Sequence, residues 1–519
     1  MSMRLNPGAF LRFILRNIWF MIREAVGLIA ATTAKVMSKG KYYITTAIDY
    51  VNAFPHLGHA MEKIQADALA RYRRFAGEDV RFVSGTDENS LKNVLAAERA
   101  GKLARELVDA NAGVFRSMGE ALSLSYDDFI RTTEARHFAA AKKLWQACAK
   151  DIYKKTYSGL YCVGCEEYYK EEELVNGLCP EHQKRPELVK EENYFFRLSS
   201  YQGRIKKLIQ GGALRITPKG RENEIMSFLN SGVEDICVSR SAERAKGWGI
   251  PVPGDETQIL WVWFDALANY ISALGYGGDE SLFEQWWQNN PRIVHVIGKG
   301  IVRFHAVHWI GMLLSAGLRV PSDIFVHGYI TSEGQKMSKS LGNVVDPFAL
   351  VEKYGADAVR YFVLREIPST EDGDFSVARF EERYNADLAK GLGNLASRIT
   401  TVASKIKAMD AREQGDVAAE IAKAKDEVGR SMEEYKFNEA LAGIWGLIGF
   451  CDRYIEQKQP WKTNDKDSVG NLMYALEEIG KLVAPFMPET SGKIAKMASG
   501  EKMTLFPRLT QEQKEQAVI

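Results

Sequence analysis

The sequence predicts an α/β fold that carries a small metal-binding insert and is followed by an all-helical region. Three observations indicate this arrangement. β-Branched and aromatic segments alternate with amphipathic helical patterns in the first part of the chain. Paired cysteine and histidine residues interrupt the alternation. From about Phe380 the pattern is helical, with few prolines before Pro460.

Length and composition predict a soluble globular protein. The chain has 519 residues, enough for two or three domains with hydrophobic cores of their own. Hydrophobic residues make up 46% and charged residues 26%, which excludes a disordered or fibrous chain. The formal net charge of +1 provides no overall basic field, so any contact with RNA must use local patches. Six cysteines are too few for a disulfide framework at this length.

The first 36 residues differ from the rest because they carry a net charge of +4. Arg12, Arg16 and Arg23 fall on one helical face among apolar residues, and the charges interrupt any stretch long enough to span a bilayer. Three interpretations remain open. The segment is an upstream start with Met37 as the working start, an arginine-rich presequence, or an amphipathic helix on a membrane surface or on the protein body.

A strand followed by a helix opens the α/β part. Tyr42 to Ile48 has the β-branched and aromatic composition of a buried strand. The sequence His56-Leu-Gly-His59 then begins an amphipathic helix. Free N–H groups and the helix dipole make such a helix start an anion site, and two imidazoles there can donate hydrogen bonds to phosphate. The alternative is that both histidines are only helix caps or surface residues.

Further strands are predicted at Val80 to Ser84, Arg292 to Ile297 and Asp323 to Ile330. In α/β folds ligands bind at the carboxyl ends of such strands. Asp87 follows the first of them and is a candidate to hold a substrate ammonium group. The alternative for Asp87 is an N-cap of the helix that begins near Leu91.

Three cysteines and one histidine form two close pairs. Cys162-Val-Gly-Cys165 is followed after thirteen residues by Cys179-Pro-Glu-His182. Two such pairs on tight turns suit the tetrahedral geometry of zinc, and thiolates favour zinc over calcium or magnesium. Four protein ligands fill the coordination shell, so one structural Zn²⁺ is predicted. The alternative is a coincidental group of reduced cysteines.

A second cationic motif lies far from the two histidines. Lys336-Met-Ser-Lys339-Ser340 follows the strand at 323–330 and is rich in the residues of a mobile loop. Together with His56-Leu-Gly-His59, it resembles the paired signatures of class I aminoacyl-tRNA synthetases. Within that class the chain resembles the methionyl-tRNA synthetase family from about Lys39 to Leu509. Further stretches that carry the resemblance are the cysteine pairs, Trp263-Phe-Asp-Ala266, Ile297-Gly-Lys299, Arg303-Phe-His305, Val326-His-Gly-Tyr329 and Asn394-Leu-Ala-Ser-Arg398.

The resemblance implies a Rossmann-type nucleotide-binding core split by a zinc-bearing connective insert, followed by an all-α anticodon-binding helical bundle. The chain has no room for the large editing insert expected of relatives specific for leucine, isoleucine and valine. The expected divisions are an N-terminal extension at 1–38, the first half of the core at 39–155, the insert at 156–240, the second half of the core at 241–330, the linker with the lysine loop at 331–380 and the bundle at 381–519.

The resemblance also implies roles for individual residues. The phosphates of ATP would lie between the catalytic residues His56, His59, Lys336 and Lys339. Other nucleotide contacts would come from Gly58, Gly298, Lys299, His327, Gly328, Ser338 and Ser340. An apolar, aromatic slot for the methionine thioether would be formed by Ala47, Ile48, Tyr50, Trp263, Ala266, Leu267, Tyr270, Ile301 and His305, with Asp87 on the amino group. Asn394, Arg398 and Trp461 would face anticodon bases, and the alternative for Trp461 is core packing.

Three positions depart from the family pattern. Gly300 stands where the family usually has an aspartate, and Asp49 stands where it has an apolar residue, an aromatic residue or proline. Asn89-Ser90 replaces a common His-Gly. One hypothesis is that Asp49 supplies the carboxylate missing at Gly300, and the alternative is that neither carboxylate is needed.

The implied partners are L-methionine, ATP with Mg²⁺, and tRNA(Met). No stable membrane insertion is expected. The chain lacks the extra C-terminal RNA-binding domain that makes some relatives dimers, so a monomer is expected. The expected location is cytoplasmic, or the mitochondrial matrix if residues 1–36 are a presequence. Two other functions remain open, a cysteine-specific ligase and a non-catalytic tRNA-binding relative. The cysteine-specific type has a cysteine ligand beside its first strand, where this chain has Ala47-Ile-Asp-Tyr50.

Overall fold

The computed structural model describes residues 40–164, 167–180, 183–337, 342–407, 415–509 and 513, apart from the side chains at 167 and 336. The N-terminal segment and its three interpretations lie outside the described residues. The strands, in chain order, are β1 Lys41–Thr46, β2 Asp49–Tyr50, β3 Asp79–Asp87, β4 Asp128–Arg131, β5 Ile152–Cys162, β6 Glu167–Tyr169, β7 Glu187–Phe196, β8 Arg215–Thr217, β9 Ile236–Cys237, β10 Ser239–Ser241, β11 Pro251–Val252, β12 Asp255–Leu260, β13 Ile293–Gly298, β14 Asp323–His327, β15 Ile330–Ser332, β16 Gln335–Lys336 and β17 Gly373–Phe375.

The helices alternate with the strands and then dominate the chain beyond β17. In chain order they are α1 Leu57–Phe75, α2 Leu91–Arg99, α3 Ala104–Ala121, α4 Ala135–Ala147, α5 Gln202–Gln210, α6 Lys219–Ser231, α7 Val262–Leu267, α8 Asn269–Ser272, α9 Ser281–Phe283, α10 Ile310–Ala316, α11 Pro347–Tyr354, α12 Ala356–Glu366, α13 Val377–Arg383, α14 Asn394–Ile406, α15 Gly415–Glu433, α16 Phe437–Lys458, α17 Pro460–Thr463, α18 Lys466–Val483 and α19 Pro488–Ala498. Among these described helices, none is both long and apolar enough to cross a bilayer.

A parallel sheet forms the centre of the first part, as the α/β prediction requires. Its strand order is β2-β3-β1-β13-β14-β8, and β4 also pairs with β3 outside this order. Every pairing in this sheet is parallel. β1 is buried on both faces because helices cover the sheet on either side. The carboxyl ends of β1, β13 and β14 therefore meet at one edge of the sheet, where α/β folds bind ligands.

The insert forms a smaller antiparallel sheet of order β6-β5-β7-β9. Within the range 156–240 expected for the insert, β8 already belongs to the core, because Arg215 pairs in parallel with Asp323 of β14. Ile216 of β8 is buried beneath helices of the same region. The insert sequence thus extends the core sheet by one edge strand before the chain returns to the core.

The strand expected over 323–330 is wrong as one element, because it divides into two. β14 ends at His327, and β15 begins at Ile330 in a separate sheet of order β16-β15-β17. Gly328 lies at the break, where a Cβ atom would approach the Glu371 carbonyl oxygen to 2.1 Å. This close backbone contact turns the chain out of the core sheet and directs it into the lysine loop.

One apolar cluster joins the core, the linker helices and the helical bundle. Two charged contacts reinforce this junction. Arg73, near the end of α1, makes a bidentate ion pair with Glu433 of α15, with N–O distances of 2.6 and 2.7 Å. Arg360 of α12 is fully buried, pairs with Asp67 at 2.7 Å, and donates to the carbonyl oxygens of Leu122, Pro485 and Phe486.

Candidate active site

The two histidines of the first motif form the start of α1. His56 is the N-cap, and its Nδ1 accepts a hydrogen bond from the Gly58 amide at 3.0 Å. The Nδ1 of His59 accepts from the His56 amide at 3.1 Å, and the two ring centroids lie 3.9 Å apart. A Cβ at Gly58 would lie 2.8 Å from the His56 ring, so only glycine fits there without a shift. The capping interpretation is therefore correct, but it leaves the other ring nitrogens for a ligand.

The capping contacts determine which ring nitrogen carries the proton. A backbone N–H can only donate, so both Nδ1 atoms must be unprotonated acceptors. Burial, reinforced at His59 by the Lys63 ammonium, lowers the pKa of His56 and of His59 to about 3, so both rings are neutral at pH 7. A neutral imidazole with an accepting Nδ1 carries its hydrogen on Nε2. The helix start therefore presents two neutral N–H donors.

The lysine loop is anchored on both sides to this helix start. Before the loop, the side chain of Ile330 in β15 lies 3.5 Å from the position of a Cβ at Gly58. After the loop, the carbonyl of Val345 accepts a hydrogen bond from the Leu57 amide at 3.0 Å. Ser338, Lys339 and Ser340 and the side chain of Lys336 lie outside the described residues. The described stems nevertheless place the loop's two ends at the same helix start as His56 and His59.

The ten residues expected around methionine line a single small cavity of about 30 Å³ that is partly open to solvent. It lies beyond the carboxyl ends of β1 and β3, with helices α7 and α8 as its other wall. Trp263 stacks face to face on Phe304 with centroids 3.8 Å apart, which fixes the orientation of the indole. Asn269 also lines the cavity, although it was not among the residues expected from sequence, and it begins α8 three residues after Ala266 of α7. Its spacing of three residues from Ala266 is the sequence feature that could have predicted this position. The lining residues are Ala47, Ile48, Tyr50, Asp87, Trp263, Ala266, Leu267, Asn269, Tyr270, Ile301 and His305.

Tyr270 and His305 form the polar end of the cavity and are held in place by hydrogen bonds. His305 donates from Nδ1 to the Ile301 carbonyl oxygen at 2.9 Å, and its Nε2 lies 2.6 Å from the Tyr270 hydroxyl oxygen. Burial lowers the pKa of His305 to about 4, so the ring is neutral and its Nε2 accepts the hydrogen of the Tyr270 hydroxyl. Tyr270 is held in turn by its carbonyl, which accepts from the Tyr43 hydroxyl at 2.7 Å. The pair is a rigid, uncharged wall suited to an apolar side chain.

Asp87 is not the cap of the next helix, so that alternative is wrong. Helix α2 begins at Leu91, and Ser90 caps it by accepting from the Lys92 amide at 3.0 Å. Asp87 is buried in the lining of the cavity. Its placement fits a contact with a substrate ammonium group, and that role stays a prediction.

The departure at Asn89 has a structural counterpart. The Asn89 side-chain amide donates to Asp265 at 2.8 Å and to the Thr132 carbonyl oxygen at 3.0 Å. Asp265 also accepts from Nε2 of the buried His137 at 2.5 Å. Asp265 precedes Ala266 of the slot, so this buried network supports the helix that forms one wall.

The remaining nucleotide contacts expected from sequence lie at neighbouring strand ends. Gly298 ends β13 and pairs in register with His327, which ends β14. Nε2 of His327 lies 3.0 Å from a carboxylate oxygen of Glu62 in α1. Lys299 follows Gly298 and pairs with Asp372 at 2.6 Å. These groups form the side of the crevice opposite the β1 end, and their contacts with ATP stay a prediction.

Gly300 and Asp49, which depart from the family pattern, both have close neighbours in the structure. A Cβ at Gly300 would lie 2.1 Å from the Tyr329 hydroxyl oxygen, so the tyrosine occupies the space of a side chain there. Asp49 is partly buried, with its side chain 12% exposed, and pairs with Lys63 at 2.6 Å. Asp49 therefore has a cationic partner of its own, and its substitution for a carboxylate at Gly300 stays a prediction.

Only two of the four expected zinc ligands can be described. Cys162 at the end of β5 and Cys179 are buried thiols that form no disulfide. Cys165 and His182 lie outside the described residues. Within the described ranges, no three metal-ligating side chains cluster. The turn at Cys179 is tight, because its carbonyl accepts from the Gln183 amide at 2.8 Å.

The residues expected to read tRNA lie on the bundle surface. Asn394 and Arg398 occupy the same face of α14, and Arg398 pairs with Asp452 and Glu456 of α16. Trp461 follows the buried Pro460 and is 42% exposed. Core packing is therefore the wrong explanation for Trp461, and an indole on the surface remains free to stack on a base.

Comparison with known proteins identifies the family. The model described as "tRNA synthetases class I (M)" matches residues 42–185 and 182–400. A methionine–tRNA ligase from Brucella suis is 43% identical over 483 residues, which cover 88% of this chain and 92% of the relative. The chain belongs to the methionyl-tRNA synthetase family.

Other relatives agree with this assignment. A methionine–tRNA ligase of Thermotoga maritima is 39% identical over 89% of this chain and 76% of its own length. A Mycobacterium tuberculosis methionyl-tRNA synthetase, solved in complex with methionyl-adenylate, superposes with a TM-score of 0.82 at 39% identity, covering 91% of this chain and 99% of that one. Residues 416–518 also match the anticodon-binding domain of tRNA ligases. The methionyl-tRNA synthetase fold thus accounts for both the parallel-sheet core and the helical bundle.

Proposed function

We propose that this methionine–tRNA ligase activates methionine with ATP and transfers it to tRNA(Met) for translation initiation and elongation. The observation that carries the proposal is the single cavity formed by all ten residues expected around methionine, next to the helix start with two N–H donors. Family membership makes the alternatives of a cysteine-specific ligase and a non-catalytic relative wrong.

In the first step a methionine carboxylate oxygen attacks the α-phosphorus of ATP. A new P–O bond forms, the bond to the β-phosphate oxygen breaks, and pyrophosphate leaves with that electron pair. The Nε2–H groups of His56 and His59 donate to phosphate oxygens as negative charge is redistributed. Lys336 and Lys339 would face the leaving pyrophosphate from the loop whose stems contact the same helix start.

In the second step a ribose hydroxyl of the terminal adenosine attacks the methionyl carbonyl. The hydroxyl gives up its proton, the ester bond forms, and AMP leaves. Asn394, Arg398 and Trp461 on the bundle select the tRNA by its anticodon. Trp461 presents an exposed indole there, and base stacking on an aromatic ring contributes about 1–3 kcal/mol.

The slot limits how well methionine is distinguished from similar molecules. Tyr270 and His305 form an uncharged wall that suits a thioether, and Asp87 would pair with the amino group. One methylene distinguishes ligands by only about 10–200-fold in an apolar pocket. Homocysteine, shorter by one methyl, is therefore the expected competitor.

Two metal ions fit the proposal. Class I synthetases use ATP with Mg²⁺, which supplies charge neutralisation on the phosphates. The buried thiols of Cys162 and Cys179, which form no disulfide, suit one structural Zn²⁺ that would be completed by Cys165 and His182. Metal analysis of Cys162→Ser, with Cys451→Ser as a control at a buried cysteine of the bundle, tests this. We expect about one equivalent of zinc in the control and loss of zinc from Cys162→Ser. Equal zinc in both would contradict the site.

Methionine-dependent exchange of labelled pyrophosphate into ATP tests the function. We expect exchange with methionine, slower exchange with homocysteine and none with cysteine. Charging of tRNA(Met) then tests the second step. A protein that binds tRNA(Met) without any exchange would refute the proposal.

The remaining proposals concern the state of the protein in the cell. We propose a monomer located in the cytoplasm, or in the mitochondrial matrix if the basic N-terminal segment is a presequence. Measurement of the molecular mass in solution tests whether the protein is a monomer. N-terminal sequencing of the purified protein distinguishes a start at Met37, a cleaved presequence and a retained helix.

A further inference from the structure

A buried lysine lies between the methionine slot and the nucleotide side of the crevice. Lys63 is in α1, one turn beyond His59, and its side chain is only 4% exposed. Its ammonium group lies 2.6 Å from Asp49 Oδ2, 3.1 Å from Glu62 Oε1 and 3.2 Å from the Ala47 carbonyl oxygen. Two of its hydrogens are donated, to Glu62 and to the Ala47 carbonyl, and Asp49 adds an ion pair at short range.

The network continues across the crevice through Glu62. Its second carboxylate oxygen, Oε2, lies 3.0 Å from Nε2 of His327 at the end of β14. Nδ1 of that ring lies 2.7 Å from the Gly328 carbonyl oxygen. A continuous chain of charged contacts therefore joins the end of β1 to the end of β14 through α1. It crosses the sheet edge at which the two reactants must meet.

Burial of this network is unfavourable unless every group has a partner. Burial raises the pKa of Asp49 to about 6, because Lys63 offsets only part of the cost and Glu62 adds to it. Burial would also raise the pKa of Glu62, but Lys63 and His327 outweigh it and lower that pKa to about 2. Replacement of charged groups by apolar ones often leaves stability unchanged or improves it. The network's cost therefore favours a role beyond stability.

We propose that Lys63 is a positioning residue for methionine activation, which holds the Ala47 wall of the slot and the His327 side of the crevice at a fixed separation. The inference rests on the proposed function. Ala47 to Tyr50 locate the methionine, and His327 lies on the side expected for the nucleotide. Attack on phosphorus requires the reacting atoms to approach within about 3–3.5 Å in line, and a misplacement of 1 Å can cost about 10²-fold.

Lys63→Met, which keeps the length of the side chain and removes its charge, tests the proposal. We expect kcat for methionine-dependent pyrophosphate exchange to fall about 100-fold, while KM for methionine and for ATP change less than about tenfold. The loss falls on kcat because Lys63 is not among the residues that line the slot and acts on the alignment of the reactants. The matched control is Lys353→Met, since Lys353 is 2% exposed and pairs with Glu381 in the linker. We expect the control to lower the melting temperature and to keep kcat within threefold of wild type.

The double variant Asp49→Asn, Lys63→Met separates positioning from stability. Lys63→Met alone leaves the Asp49 carboxylate without its cationic partner. The double variant removes that carboxylate too, so its melting temperature should recover toward that of wild type. If Lys63 had only a structural role, kcat would recover together with the melting temperature. In a positioning role kcat stays at least 30-fold low, because neither residue then holds the Ala47 carbonyl.

Glu62→Gln provides a second test that does not depend on the folding of Lys63→Met. Its single side-chain oxygen can accept from Lys63 or from His327 but not from both in the present geometry. We expect at least a tenfold loss of kcat with a melting temperature close to wild type. The proposal is overturned if kcat of the double variant returns to within threefold of wild type, or if Glu62→Gln is fully active. Absence of exchange in the wild-type protein would instead refute the proposed function, and this inference with it.

Discussion

Substitution of His56 by asparagine or glutamine separates the two roles that the structure assigns to this ring. The Nδ1 atom caps α1 by accepting from the Gly58 amide at 3.0 Å, which leaves the Nε2–H group to donate to a ligand. The amide of asparagine reaches the position of Nδ1, whereas the amide of glutamine reaches the position of Nε2. Each variant therefore preserves one function of His56 and removes the other.

The expected magnitudes follow from these contacts. Asparagine is among the best N-cap residues, so His56→Asn should keep the melting temperature within about 2 °C. It loses one donor to the transition state, which typically lowers kcat by about 10²–10³, or roughly 2.7–4 kcal/mol. His56→Gln loses the cap, which costs about 0.5–2 kcal/mol of stability. Its amide N–H replaces the donor, so kcat should fall by less than about tenfold.

Methionine-dependent pyrophosphate exchange at saturating ATP measures kcat, and thermal unfolding followed by circular dichroism measures stability. The two variants should rank in opposite order in the two assays. An exchange rate for His56→Asn equal to that of His56→Gln, with both proteins folded, would refute the assignment of the Nε2–H group as a phosphate donor. His59, whose Nδ1 accepts from the His56 amide, provides an independent repeat with the same pair of substitutions.

Three further predictions concern stability and tRNA binding. Arg360→Met should lower the free energy of unfolding by about 3 kcal/mol, because a buried pair with Asp67 is broken, whereas Arg379→Met, at a side chain that is 58% exposed, should cost less than about 1 kcal/mol. Equal shifts in urea unfolding would contradict this. Because the pKa of His56 and His59 falls to about 3 in the folded chain against 6.5 unfolded, the unfolded state binds more protons between these values. Stability should therefore fall as pH is lowered below 6.5, by up to about 1.4 kcal/mol per pH unit for each ring, and a melting temperature independent of pH from 6.5 to 5 would oppose this. Trp461→Ala should raise KM for tRNA about tenfold through lost stacking, with Trp461→Phe close to wild type, and equal KM values for the two variants would argue against stacking.

The sequence predicted the parts of the site that depend on local pattern. The strand and helix around His56 were predicted because β-branched residues and a helical period lie next to each other in sequence. The slot residues followed from the family resemblance, and the structure brings all ten to one cavity. Helix α11 also begins where its local sequence indicates, with Asp346 as the cap and Pro347 as its first residue.

The missed features depend on contacts between distant segments. Glu62 and Lys63 look like a solvated pair on a helix surface, and their burial follows only from the approach of Asp49 and His327. The division of the strand at 323–330 results from the contact of Gly328 with the Glu371 carbonyl, which no local period reveals. The edge strand β8 has three residues, too few for a periodic signal.

The ion pair between Arg73 and Glu433 makes the catalytic half and the bundle difficult to separate. Helix α1 has 19 residues, so it extends about 28 Å from the nucleotide crevice to helix α15 of the bundle. Removal of the bundle would expose the apolar surface that α12 and α16 share, and would leave the guanidinium at the far end of α1 without its bidentate acceptor. A shortened protein that ends after the linker should therefore aggregate rather than retain amino acid activation, and a minimal active version of this enzyme must keep its tRNA-reading helices even for a reaction that involves no tRNA.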